Sequence, residues 1–149
     1  MQSRFVFMIM ALLLGAILPL QAAINTRLSR IAGGSIAAAF VSFSVGTIAL
    51  FLYLLITRQI HPQDIPFRQS PWWIWIGGLL GVFFVSGIIV VLPRLGVALS
   101  FSLVIAGQMA LAILFDHFGW LGMTIREISF GKIAGAIFLI VGVFLIRKF

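Results

Sequence analysis

A neutral amide, Gln108, stands near the middle of the apolar run LVIAGQMALAILFD (103–116), and Asp116 closes that run. Two more amides, Gln21 and Asn25, are four residues apart in PLQAAIN (19–25), hence on one face of a helix and within two turns of Pro19. Proline has no N–H, so Pro19 frees a backbone carbonyl one turn earlier. Amides beside a kinked or broken membrane helix are a recurrent way of holding a polar solute. Gln108 has a second reading, an amide that joins two membrane helices, where such bonds add about 0.6 kcal/mol and up to roughly 1.7 kcal/mol. Ser42 and Ser44 complete the candidate solute-facing set. For them, as for Ser86, Ser100 and Ser102, the competing reading is a hydroxyl bonded to its own helix backbone.

Asp116 is one of only three acids in the chain and adjoins His117. It fits either a titrating group in proton-coupled transport or a solvated charge at a helix end, where carboxylates are tolerated cheaply. No acid lies at mid-membrane, which argues against a cation/proton antiporter that depends on an embedded glutamate. No catalytic signature is present: there is no GxSxG, HExxH, P-loop, GxGxxG or paired in-membrane carboxylate, and FGKI (130–133) lacks the spacing of a phosphate loop. With no cysteine and only two isolated histidines, His61 and His117, no metal site is expected. The expectation is a protein that is not an enzyme and carries no cofactor or metal.

The elements that must position these residues are hydrophobic. Of 149 residues, 62% are apolar and 9% charged, and the mean hydropathy is +1.24. A soluble core of this size could not hide so much apolar surface, whereas a bilayer solvates it and requires only that backbone groups pair within each segment. Five runs approach the roughly 20 residues that cross about 30 Å of hydrocarbon. They are 5–24, 35–56, 72–92, 96–115 and 128–146, the last with Lys132 near its start, where the ammonium can reach an interface. The fold class is therefore all-α, a single membrane domain over 1–149. The first run reads as an uncleaved helix rather than a secretory signal, because Leu20 and Gln21 do not suit a cleavage site. Residues 25–34 read as a connection. PRLG (93–96) is tight enough to make the third and fourth spans antiparallel neighbours, and the loop 57–71, with Pro62, Pro66 and Pro71, reads as solvated. Small-residue pairs, Gly77/Gly81 and Gly131/Gly135, suit close approach of helix backbones.

The net charge of +7 does not indicate nucleic acid, since the ten basic residues are scattered singly between apolar runs. Their distribution has another consequence. The face holding the N-terminus, side A, carries Arg4, Arg58, Arg68, Arg126 and Lys132; the opposite face, side B, carries Arg27, Arg30, Arg94, Arg147 and Lys148. Orientation normally follows an excess of Lys and Arg in cytoplasmic loops, and five against five leaves none. The expectation is dual topology, with opposite copies pairing as an antiparallel homodimer of ten spans; the alternative is that one end of the chain dominates insertion. Tyr53, Trp72, Trp73, Trp75 and Trp120 all lie near side A, so an inverted partner would supply the second aromatic belt. Gln21, Asn25 and the five serines fall in the half nearer side B, as a cavity opening to that side would require.

The stretches PLQAAINTRLSR (19–30), SFSVGT (42–47), WWIWIGGLLG (72–81), PRLGVALSFSLVIAGQ (93–108) and DHFGWLG (116–122) resemble the small YdcZ-like family of the drug/metabolite transporter superfamily. The resemblance covers almost the whole chain. It implies a bacterial inner-membrane protein of five helices that assembles in pairs, or fused doubles, of opposite orientation. Its pattern also keeps a glutamine at the position of Gln108, which favours the solute-facing reading of that residue. The expected function is transport of a small metabolite or drug-like solute by alternating access, with membrane lipid and an inverted copy as partners. The alternative is a channel-like or structural assembly protein without carrier activity.

Overall fold

The computed structural model describes residues 2–59 and 70–149. Most of the loop 57–71, including Pro62, Pro66 and Arg68, lies outside the described residues. Most of the rest is helical: α1 is Gln2–Ala32, α2 Ser35–Ile56, α3 Gly77–Leu95, led into by a 3-10 segment Trp72–Ile76, α4 Val97–Phe118 and α5 Phe130–Lys148. Among the described residues, five helices are long and apolar enough to cross a membrane.

α1 is longer than its apolar run. Its 31 residues continue unbroken through Pro19 and on to Ala32, so the segment read as a connection from residue 25 is mostly helix. The polar side chains there do not interrupt the helix because they bond to its own carbonyls: Thr26 Oγ1 donates to Ala22 O at 2.8 Å and Ser29 Oγ to Thr26 O at 2.8 Å. Only Gly33 and Gly34 end it. Both have positive φ, +84° and +147°, which costs glycine little and other residues much. At about 1.5 Å per residue α1 reaches some 46 Å, so its last turns, with Arg27 and Arg30, extend beyond a hydrocarbon layer of about 30 Å.

The chain divides into two compact units, the first ending at Pro93 and the second starting at Arg94. In the first, α1 packs on α2, and Ala38, Ala39, Val85 and Ile89 form a core against which Leu28 and Phe84 rest. The two alanines are fully buried, because without longer side chains they let helix backbones approach. Gly81 serves the same end more locally: a Cβ there would stand 3.2 Å from the Phe43 ring. All of this core lies toward side B, whereas residues 4–17 of α1 and almost all of 45–56 in α2 are exposed within the chain.

The second unit is a helical hairpin. Gly119, at φ +62°, ends α4 in the left-handed cap that glycine favours, and its missing Cβ admits Ile125, whose Cγ1 lies 2.6 Å from where a Cβ would stand. A short 3-10 turn, Trp120–Gly122, follows. The backbone then folds back, with Arg126 N–H donating to Asp116 O at 2.7 Å. Ser129 caps α5 by accepting from the Lys132 N–H.

Candidate functional site

The span polar groups differ in whether the chain itself satisfies them. Ser100 Oγ donates to Gly96 O at 2.6 Å and Ser102 Oγ to Leu99 O at 2.9 Å, so both are settled by the local backbone. Asn25 is not settled. It is 3% exposed, enclosed with Ala22 where α1 is covered, and its Nδ2 has no hydrogen-bond partner among the described residues. A buried amide donor left without an acceptor costs about 1–3 kcal/mol, which is a reason to ask what it donates to in the working protein. Ser86 Oγ, on α3 of the same unit, is likewise buried without a partner. Gln21, one turn before Asn25, shares its general face but sits at the rim of the covered stripe and is exposed.

Ser42 and Ser44 are half-buried on α2. Ser44 and Thr47 are the polar lining of an open groove of about 650 Å³, otherwise bounded by Phe40, Phe43, Ile48 and Val82. Gln21, Asn25, Ser42, Ser44 and Ser86 therefore belong to one unit, with Asn25 in its packed interior and Ser44 on its grooved flank.

In the hairpin, Gln108 is exposed and makes no hydrogen bond among the described residues. It does not line the grooves against α5. The residues of α4 that do include Leu99, Leu103, Met109, Ile113 and Asp116. Ala112, one turn after Gln108, also lines one of them, so at about 100° per residue Gln108 projects at the edge of the α5-facing side, and Val104 and Leu111 project farther from it.

Asp116 is held. Lys132 Nζ lies 3.2 Å from its Oδ2 and also donates to Arg126 O at 3.0 Å, so the ammonium ties both ends of the Trp120 loop. The sequence places Lys132 at an interface but does not pair it with Asp116. The available signal is topological: an acid ending one helix and a lysine in the first turn of the next meet when a short loop folds them into a hairpin. Ala112, Gly131, Gly135 and Ala136 leave an opening of about 310 Å³ beside the pair. Gly135 and Gly142 meet nothing within 4 Å, so the α5 glycines do not mark a close helix contact inside the chain. His117 Nδ1 is buried without a partner, its ring edge-on to Phe118 at 4.8 Å.

Among the described residues no group of three or more His, Cys, Asp or Glu could hold a metal ion. The chemistry available is hydrogen bonding by neutral amides and hydroxyls, with one ion pair at the side A end of α4.

Residues 6–145 match the family described as "Putative inner membrane exporter, YdcZ". The chain belongs to the YdcZ family. It is 38% identical over 77 residues, 52% of its length, to the inner membrane protein YdcZ of Escherichia coli (strain K12), of which the match covers 51%. The chain thus spans about half the length of that curated relative. No solved structure matches it. YdcZ membership and five membrane-length helices make the chain a multi-pass inner-membrane protein. The YdcZ match includes every polar residue considered above, from Gln21 to Lys132.

Proposed function

We propose that the chain is a carrier that moves a small polar solute across the inner membrane by alternating access, without covalent chemistry, as an antiparallel pair of copies. The observation that carries this reading is the buried Asn25 amide, whose donor has no acceptor among the described residues. A structural amide would bond to a neighbouring helix. One left open inside a packed helical unit suits a passing solute or its water. Gln21, Ser42, Ser44 and Gln108 extend the solute-facing set, and the exporter family gives the direction of transport its first candidate, outward.

The pairing rests on charge. Five basic residues on each face remove the usual bias in orientation, so both orientations insert and complement one another. Asp116 is the coupling candidate. Protonation of its carboxylate would release Lys132, and with it the tie between α4 and the Trp120 loop, which links a proton to a change of conformation.

Proteoliposomes containing the purified protein and offered an isotope-labelled metabolite extract test the carrier reading. Saturable accumulation of particular solutes, lost in Asn25→Leu, supports it. Ohmic single-channel currents without saturation would instead support a channel, and an inert but stably assembled protein a structural role.

A further inference from the structure

Gln108 is the twelfth of the 22 residues of α4, whose centre falls between Gly107 and Gln108. At about 1.5 Å per residue its Cα lies within about 1 Å of the middle of the span. Its side chain is exposed, unpaired among the described residues, and outside the linings of the openings between α4 and α5. An amide at that depth facing lipid would be left unsatisfied, at a cost of several kcal/mol.

Symmetry identifies what covers it. Two inverted copies of one chain are related by a two-fold axis lying in the membrane midplane, and on such an axis a residue meets its own counterpart only if it sits at mid-depth. Among the solute-facing candidates Gln108 meets that condition most closely, half a residue from the centre of its helix, against one and a half residues for Ser44 and three for Gln21. An amide also suits self-pairing chemically. It has an N–H donor and a carbonyl acceptor, so two related by a two-fold axis exchange two N–H···O bonds and carry no net charge into the hydrocarbon.

We propose that Gln108 lies on the two-fold axis of the inverted pair, where the amides of the two copies bond to each other when the path is empty and together form one shared solute contact when it is loaded. This rests on the antiparallel reading above and adds to it that α4 meets α4, that Val104 of one copy lies level with Leu111 of the other, and that a pair has one central site rather than two. Both neighbours share the Gln108 face and lie 3.5 residues on either side of the helix centre.

The natural chain has no cysteine, so introduced thiols report without background. The test is oxidative cross-linking, in native membranes, of Gln108→Cys, Val104→Cys, Leu111→Cys and the double variant Val104→Cys/Leu111→Cys, which keeps Gln108. A disulfide needs Cβ atoms about 3.5–4.5 Å apart. In an inverted pair of the Val104→Cys variant the two thiols stand about 10 Å apart along the membrane normal, seven residues of rise. Covalent dimers are expected from Gln108→Cys and from the double variant, and not from Val104→Cys or Leu111→Cys alone. Cross-linking of both single variants would mean a parallel α4 pair and overturn the proposal. So would no α4 cross-link in a protein whose C-terminal reporter is found on both faces, an outcome that leaves the antiparallel pair standing and removes only Gln108 from its axis. A reporter confined to one face would instead take away the pair itself.

Discussion

The N-terminal unit and the C-terminal hairpin are held by different physics. α1, α2 and α3 close over Ala38, Ala39, Val85 and Ile89, a dry contact made possible by small side chains. α5 packs along α4 without a fully buried residue, and the hairpin is further fastened at its loop end by the Asp116–Lys132 pair and a backbone bond across the loop. The polar groups follow the same division. The first unit turns an amide, Asn25, into its interior, while the hairpin turns one, Gln108, outward at mid-depth. In lipid there is little hydrophobic force between helices, so packing and hydrogen bonds decide what stays together. The first unit has a small-residue core of its own; on the reading proposed above, Gln108 of the hairpin calls for a neighbour.

The contrast can be broken from either side. The largest effect is expected at Gln108→Leu, which should abolish solute uptake in proteoliposomes yet leave most of the dimer, because an interhelical amide bond contributes only about 0.6–1.7 kcal/mol. Dimer loss with surviving uptake would reverse the two roles. Ala38→Leu should come next: a larger side chain in a fully buried position costs about 1–3 kcal/mol and should lower the thermal stability of the detergent-purified protein. An unchanged melting curve would mean the α1–α3 core is not closed. Asn25→Leu sharpens the comparison, since the two side chains have similar volume and the replacement removes an unpaired buried donor. Its stability should hold or rise by about 1 kcal/mol while uptake is lost; a fall in stability would mark the amide as structural. The smallest effect on stability is expected at Asp116→Asn. The pair is partly exposed, so its loss should cost only about 0.2–1 kcal/mol, read as a slight drop in melting temperature that Lys132→Met does not deepen.

The five spans are legible in the sequence because apolar length is a strong signal, and the mid-helix position of Gln108 follows directly from counting. The end of α1 is not. Asn25, Thr26, Arg27, Ser29 and Arg30 look like a loop by polarity, but hydroxyls that bond to their own helix and arginines that reach water leave the backbone helical until Gly33. Polarity locates the membrane boundary; conformation locates the helix end. Pro19 shows the converse, since of the two expectations, a broken or a kinked α1, the break does not occur. Within the candidate site, the i, i+4 spacing of Gln21 and Asn25 indicates a common face, but not that packing covers one and leaves the other at the rim. That depends on which residues of α2 and α3 arrive there. The Asp116–Lys132 pair is hidden for a related reason: 16 residues separate its members, and only the positive-φ turn at Gly119 and the fold-back of Arg126 bring them together.

The equal division of basic residues between the two faces underlies the antiparallel pairing on which the shared solute path depends. A reporter fused to Phe149 and assayed on both sides of the membrane in intact cells tests it most directly. Comparable signal from the two compartments is expected, shifting to one side when Arg58 or Arg94 is replaced by glutamine. Signal from a single compartment, unmoved by those replacements, would contradict it.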